Sequence, residues 1–179
     1  MILIVLIVFT GCGQNRITEK EEKKETVESE MNAEVKKTAQ TFRFVYMKEK
    51  SELNTLKVKR KIINCLEEKG YAAVDCDNQI DMVNREKVEE FCKAAEKEEQ
   101  AAVDIVVVFD EGEIIQYHLE SMNGKINVRL CQVKWKDNSP QANYYDEYEA
   151  YEWKYTEKGY LFLEEYHPPG FCLLYTSPS

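Results

Sequence analysis

Three side chains capable of acid–base or ligand chemistry fall close together in the stretch "LFLEEYHPPG": Glu164, Glu165 and His167. Along an extended strand Glu165 and His167 point to the same face, where a carboxylate beside an imidazole suits proton transfer. The two prolines that follow cannot donate to a ladder, so the strand is expected to end and turn there. A second candidate is His118 in "QYHLE", which a hairpin could bring beside Cys131 as a thiol–imidazole pair. With no third group to orient it, His118 reads first as a sheet-face residue. A third is the ribbon "NYYDEYEAYEWKY", in which Tyr151, Trp153 and Tyr155 share one strand face. On a surface, such rings beside carboxylates would stack on sugars or grip a cationic peptide. In the interior the same rings are core, and only the acids are wet. No G-x-S-x-G, P-loop or H-E-x-x-H pattern occurs, so no catalytic residue is assigned.

The six cysteines form no C-x-x-C pair and no metal-ligand spacing, and neither a metal nor another cofactor is expected. Cys65 and Cys92 fall on apolar helical faces; with Cys76 and Cys131 they read as free, buried thiols. Disulfides among the four stay open as an alternative in an exported protein. Cys12 is different. It follows an apolar run at residues 2–9, too short for a permanent span, which needs about 20 residues, but of the length of a signal-peptide hydrophobic region. "FTGCG" resembles the bacterial lipoprotein signal, in which an apolar residue and two small residues precede the cysteine; Phe9 is looser than the usual Leu or Val. The resemblance implies lipidation of Cys12, cleavage before it, and a bacterial protein held on the cell membrane by its lipid and facing outward. No basic residue precedes Arg16, so the basic start of such a signal is expected upstream of Met1. At the other end, "CLLYTSPS" resembles the translation of a sequencing adapter joined to a DNA fragment, and residues 172–179 are set apart from the native fold.

The elements that must position these residues follow from composition. A net charge of −9 lacks the basic surface that phosphate binding needs, which argues against nucleic acid as the main partner. The basic run at residues 57–61 reads as the wet face of a helix. Residues 1–11 form the signal peptide, and residues 12–40 a lipidated cysteine followed by a flexible charged tether. That stretch mixes Lys, Arg and Glu with few apolar residues, too few to repay the entropy of ordering it. Residues 41–171 turn globular. Ser51 is placed to cap a helix ended by Gly70, and Asn84 a second helix through residue 99. Strands are expected near 102–109, 114–121, 126–135, 143–155 and 160–165, with Asn123-Gly124 as a hairpin turn. The fold class is therefore α+β: two helices followed by an antiparallel meander of about five strands.

This order of signal, charged tether, helices and tyrosine-rich meander leading to "GYLFLEEYHPPG" resembles a family of uncharacterised lipoproteins of anaerobic Gram-positive bacteria, classed as a domain of unknown function. It covers residues 45–171 and rests chiefly on residues 159–170. The resemblance implies further β-structure past residue 171 and brings no catalytic residues with it. The expected function is a binding or interaction module at the cell envelope, taking a wall glycan or peptide through Tyr151, Trp153, Tyr155, Glu165 or His167. An envelope enzyme completed by residues past 171, and a structural or assembly factor of a membrane complex, remain as alternatives.

Overall fold

The computed structural model describes residues 14–77, 81–157, 159–167 and 170–176, with side-chain surroundings for 21–77, 81–157 and 159–165. Cys12 and the signal segment lie outside the described residues, as do Pro168, Pro169 and the side chain of His167.

The charged stretch expected to be a loose tether is a helix, α1 (Gln14–Gln40), and its second half is packed. Glu, Lys and Ala favour helix, and nothing in the stretch breaks one. Met31, Val35 and Ala39 recur at four-residue spacing and are buried against the sheet. Thr38 beside them donates to Gln116 Oε1 at 2.7 Å. Average composition hides so narrow a stripe, because three apolar side chains on one face suffice to dock a helix whose other faces stay wet.

A short helix, α2 (Arg43–Lys48), leads to α3 (Leu56–Glu68), which starts later than Ser51 because Thr55 provides the cap, its hydroxyl accepting from Val58 N. Gly70 ends α3 as expected: at φ 83° it lets its own N–H reach Glu67 O and that of Tyr71 reach Leu66 O. Strand β1 (Ala72–Asp75) follows, then α4 (Arg85–Glu96), then β2 (Ala101–Val108), which runs parallel to β1 with Ala73 opposite Val106. Asn84 does precede α4, but in the left-handed region; its amide donates to Glu67 O and Tyr71 O instead of capping.

After β2 a single 3-10 turn (Asp110–Gly112) leads into β3 (Ile114–Met122), β4 (Lys125–Lys136) and β5 (Ser139–Glu149), paired antiparallel in that order. Asn123-Gly124 turns β3 into β4 with both φ values positive, as the sequence predicts, and Asp137-Asn138 does the same between β4 and β5. The long strand expected at 143–155 is two strands. The chain leaves the first sheet at Ala150, whose N–H donates to Ile126 O, and β6 (Glu152–Tyr155) pairs instead with β7 (Leu161–His167). A third strand, β8 (Gly170–Thr176), completes this second sheet and takes in part of the tail set apart above.

The fold is α+β, as expected, with one parallel pair at the edge of a five-stranded sheet. Alternation along the strands divides the core in two. Val106, Val108, Ile114 and Val133 face α1, α2 and α3, whereas Val103, Ile105, Leu119 and Ile126 face α4 and the second sheet.

Candidate functional site

The basic run at 57–61 stays wet only in part: Lys57 is exposed and Arg60 and Lys61 are half-buried, but Lys59 is buried. Lys59 shares the face of α3 that carries Ile62, Ile63 and Leu66, and its side chain is 1% exposed. That spacing sends the ammonium inward, to the carboxyl ends of β1 and β2. There it lies 3.5 Å from Asp75, itself 2% exposed, and 2.7 Å from Asp110; it also pairs with Asp77. Its neighbours compensate, Arg60 pairing with Asp81 and Lys61 with Glu49 at 2.5 Å. Asp75 Oδ1 accepts from Asp77 N at 2.9 Å, which folds the "DCD" corner around the ammonium.

The electrostatics follow from this enclosure. Burial pulls the Lys59 pKa down, yet hydrogen bonds to Asp110 and Asp77, with the charge of Asp75, outweigh it and raise the pKa above the ordinary lysine value. Asp77 is held below the usual carboxylate range by its bond to Lys59. Burial pushes the Cys76 thiol up to about 11, the two aspartates adding to it against the pull of Lys59. Lys59 thus stays an ammonium and Cys76 a thiol at neutral pH, and neither is an activated nucleophile. Asp75, Cys76 and Asp77 lie close enough together to share a cation, and the Lys59 ammonium is that cation. A divalent ion there would meet it at contact distance, so the donor set does not fit a metal.

Beyond the cluster the surface opens into a groove. One depression of about 520 Å³ lies over Cys76, Asp77, Phe109 and Asp110. A second, of about 330 Å³, lies beside Tyr46, Leu53 and Trp135, and both are bounded by Asn54, Glu111 and Glu113. Tyr46 and Trp135 stack with ring centroids 4.0 Å apart, and Trp135 Nε1 donates to Gly112 O. Between the two depressions Glu111 takes φ 59°, a left-handed conformation uncommon for a side-chain-bearing residue, while its N–H is satisfied by Asn54 Oδ1 at 2.8 Å. Gly112 follows at φ 72°, and a Cβ there would meet the Tyr46 ring at 3.0 Å. The turn is therefore fixed from both sides, holding the Glu111 and Glu113 carboxylates at the waist of the groove.

The residues singled out in the sequence are arranged differently. Tyr151 is 61% exposed and sits in the bend between the sheets, its N–H donating to Glu164 O. Trp153 and Tyr155 are half-buried and pack into the second core cluster, and Trp153 Nε1 donates to Gly124 O at 3.1 Å. The three do not form one exposed platform. Tyr155 instead borders a separate hollow with Arg85, Glu89 and Glu96. Glu165 is half-buried on β7, where its Cα partner is Cys172.

His118 does lie on a sheet face. Its Nδ1 is 2.9 Å from Asp104 and its Nε2 3.3 Å from Glu120, which Arg129 also holds at 2.8 Å. The bond to Asp104 leads in raising its pKa, against the opposing effect of burial. Cys131 faces Gln116 rather than His118, donates to Asn32 Oδ1 at 3.1 Å, and is pushed up to about 11 by burial. No thiol–imidazole pair forms between them. Cys65, Cys76, Cys92 and Cys131 form no disulfide; Cys92 and Cys131 are buried as expected, whereas Cys65 and Cys76 are half-buried.

The match with known proteins is confined to a family. A sequence model of a family of unknown function, DUF6070, matches residues 24–173. The chain belongs to that family. No curated protein and no solved structure matches it. The DUF6070 match begins inside α1, ahead of the buried Met31, and runs into β8, so it takes in both sheets, the Lys59 cluster and the groove.

Proposed function

We propose that this DUF6070 protein is a lipid-anchored, outward-facing binding module of the cell envelope, with its lipid on Cys12 and its ligand site in the groove beside the Lys59 cluster. The observation that carries the ligand reading is the composition of the groove wall. The Glu111 and Glu113 carboxylates line the same depression as the stacked Tyr46 and Trp135 rings, and Asp77 and Asp110 line the depression adjoining it. Carboxylates with an aromatic face suit an ammonium or guanidinium, as on a basic peptide or an amine-bearing wall component. The site already holds two cations in that manner. Lys59 lies among the carboxylates, and the exposed Lys50 stands 5.7 Å from the Tyr46 ring centroid, where an incoming cation would displace it. The place is also that of a crevice outside the carboxyl ends of parallel strands, where open α/β sheets present ligands.

Pentalysine titrated against the protein in a calorimeter tests the ligand. Saturable binding that weakens with salt, and that falls in Glu111→Gln with Glu113→Gln, is expected; absence of saturable binding overturns the site. The anchor has its own test. A radiolabelled fatty acid should mark the protein and not Cys12→Ser, and equal labelling of the two would sink lipidation. The lipobox-like sequence supports this part of the reading.

A further inference from the structure

We infer that the outer face of α2, with the start of α3 as a second element, docks on an anionic membrane surface. On α2, Phe42 and Tyr46 turn inward, and Arg43, Phe44, Met47 and Lys48 turn out on one side of the helix. Phe44 is 75% exposed and Met47 43%, and Leu56 at the start of α3 is 52% exposed. Single exposed apolar residues are ordinary on protein surfaces. These three differ in their setting. Residues 43–61 carry seven cations against two carboxylates, in a chain whose net charge is −9. Lys59, Arg60 and Lys61 are taken up by Asp75, Asp77, Asp110, Asp81 and Glu49. That leaves exposed Arg43, Lys48, Lys50 and Lys57, opposed within the segment by exposed Glu52. Lys48 Nζ stands 5.8 Å from the Phe44 ring centroid, a cation directly beside the most exposed aromatic among the described residues. Arg43 and Lys50 reach the Asn138 turn, and Lys50 also stands over the Tyr46 ring.

An exposed aromatic and thioether among exposed cations match the interface of an anionic bilayer. There apolar side chains enter the acyl boundary and long basic ones reach the headgroups. A protein groove of complementary shape is the competing occupant, but the local excess of positive charge selects an acidic surface, and a bilayer presents one without needing a pocket. The contact stands without the lipid anchor. If Cys12 is also lipidated, the membrane is met near both ends of α1, whose 27 residues at about 1.5 Å per residue separate the two points by roughly 40 Å. Two such contacts would lay α1 along the membrane and fix which side of the body faces outward.

The test uses the full chain with Cys12→Ser, so that no lipid is attached, in co-sedimentation with vesicles of phosphatidylglycerol mixed into phosphatidylcholine, and of phosphatidylcholine alone. Preferential partition to the anionic vesicles is expected, falling as salt rises. Phe44→Ser should lower the partition coefficient about tenfold, from the apolar area withdrawn. Arg43→Gln with Lys48→Gln should do so by a similar or larger factor, at about 1 kcal/mol per cation near the surface. Both changes are at exposed positions, and thermal melts should show the variants folded. Equal partition to neutral and anionic vesicles, or no loss in either variant, overturns the inference. So does a dimer that forms without lipid and is lost in Phe44→Ser, because that would assign the face to a second copy. The readout is separate from the pentalysine titration, so either result can fail alone.

Discussion

Replacing Lys59 by Met keeps most of the side-chain volume and removes the ammonium at the centre of the acidic corner. Of the three carboxylates it holds, Asp77 and Asp110 are largely exposed and can turn to water, so their loss is small. Asp75 cannot, since its side chain is 2% exposed. It would keep the bond from Asp77 N, and among the described residues no other cation pairs with it. Removing one partner of a buried pair destabilises by about 3–5 kcal/mol. The retained hydrogen bond argues for the lower end, about 3 kcal/mol, or a fall in melting temperature on the order of 10 °C for a chain of this size. Urea denaturation followed by circular dichroism measures it. Adding Asp75→Asn removes the stranded charge and should return at least half the loss, which separates an electrostatic cause from poor packing of the methionine. A Lys59→Met protein within about 1 kcal/mol of the parent would refute the reasoning, as would a double variant no more stable than the single one, because either would mean that the pair is not effectively buried.

The remaining predictions concern pH, backbone and thiols. Lys59 has its folded pKa raised, so its contribution is present below its unfolded pKa, about 10.4, and is lost as pH rises through the folded value. Asp77, lowered, acts oppositely: its contribution is present above about 3.9 and is lost as pH falls through the folded value. Urea midpoints should therefore decline at both alkaline and acid extremes. His118, raised by Asp104, adds stability below its unfolded pKa of about 6.5 that fades as pH rises through the folded one; His118→Gln should flatten that part of the profile. Gly112→Ala should destabilise by about 1–3 kcal/mol, since φ 72° is unfavourable for alanine and its Cβ would press on the Tyr46 ring. Gly70→Ala, whose near neighbour is the mobile end of Lys87, should cost nearer 1 kcal/mol in the same denaturation assay. Cys76, with its thiol pushed up to about 11, should alkylate with iodoacetamide at pH 7.5 on the order of tenfold more slowly than a free thiol, as read by mass spectrometry.

What the sequence made legible is what short-range rules govern. The Asn123-Gly124 turn, the Gly70 stop and the strand "VDIVVVF" obey local φ preferences and β propensity, and each lies where those rules place it. The tether expectation failed because composition averages over faces, while docking needs only Met31, Val35 and Ala39 on one of them. The long strand at 143–155 failed because an aromatic ribbon that changes sheets at Ala150 reads the same as one that does not; the donation from Ala150 N to Ile126 is a tertiary fact. The Lys59 site was missed for a related reason. Its acids follow two separate strands, as "VDCD" and "VFDEGE", and converge only if those strands are parallel neighbours. A signal was present all the same. An apolar strand ending in acids, then a helix, then a second strand ending in acids is the pattern of a βαβ unit, and both acid groups lie at carboxyl ends. Reading residues 71–74 as a short strand or link outside the meander removed that convergence.

The pairing that stabilises the Lys59 corner also sets what the groove can attract. Asp75, Asp77 and Asp110 share one ammonium, so the corner keeps a negative excess after Lys59 is counted, and Glu111 adds to it at the waist. Lys134 lies 3.3 Å from Glu113, which offsets only one further carboxylate. The internal cation therefore disarms the cluster as a source of nucleophile or metal chemistry without neutralising its field. A group drawn to such a surface is itself a cation. Lys59→Met would deepen that field while weakening the fold, so for the fraction that remains folded pentalysine affinity should rise rather than fall. A loss of pentalysine affinity in folded Lys59→Met would mean that the ammonium matters more for holding the carboxylates in place than for offsetting their charge, and would refute the field argument.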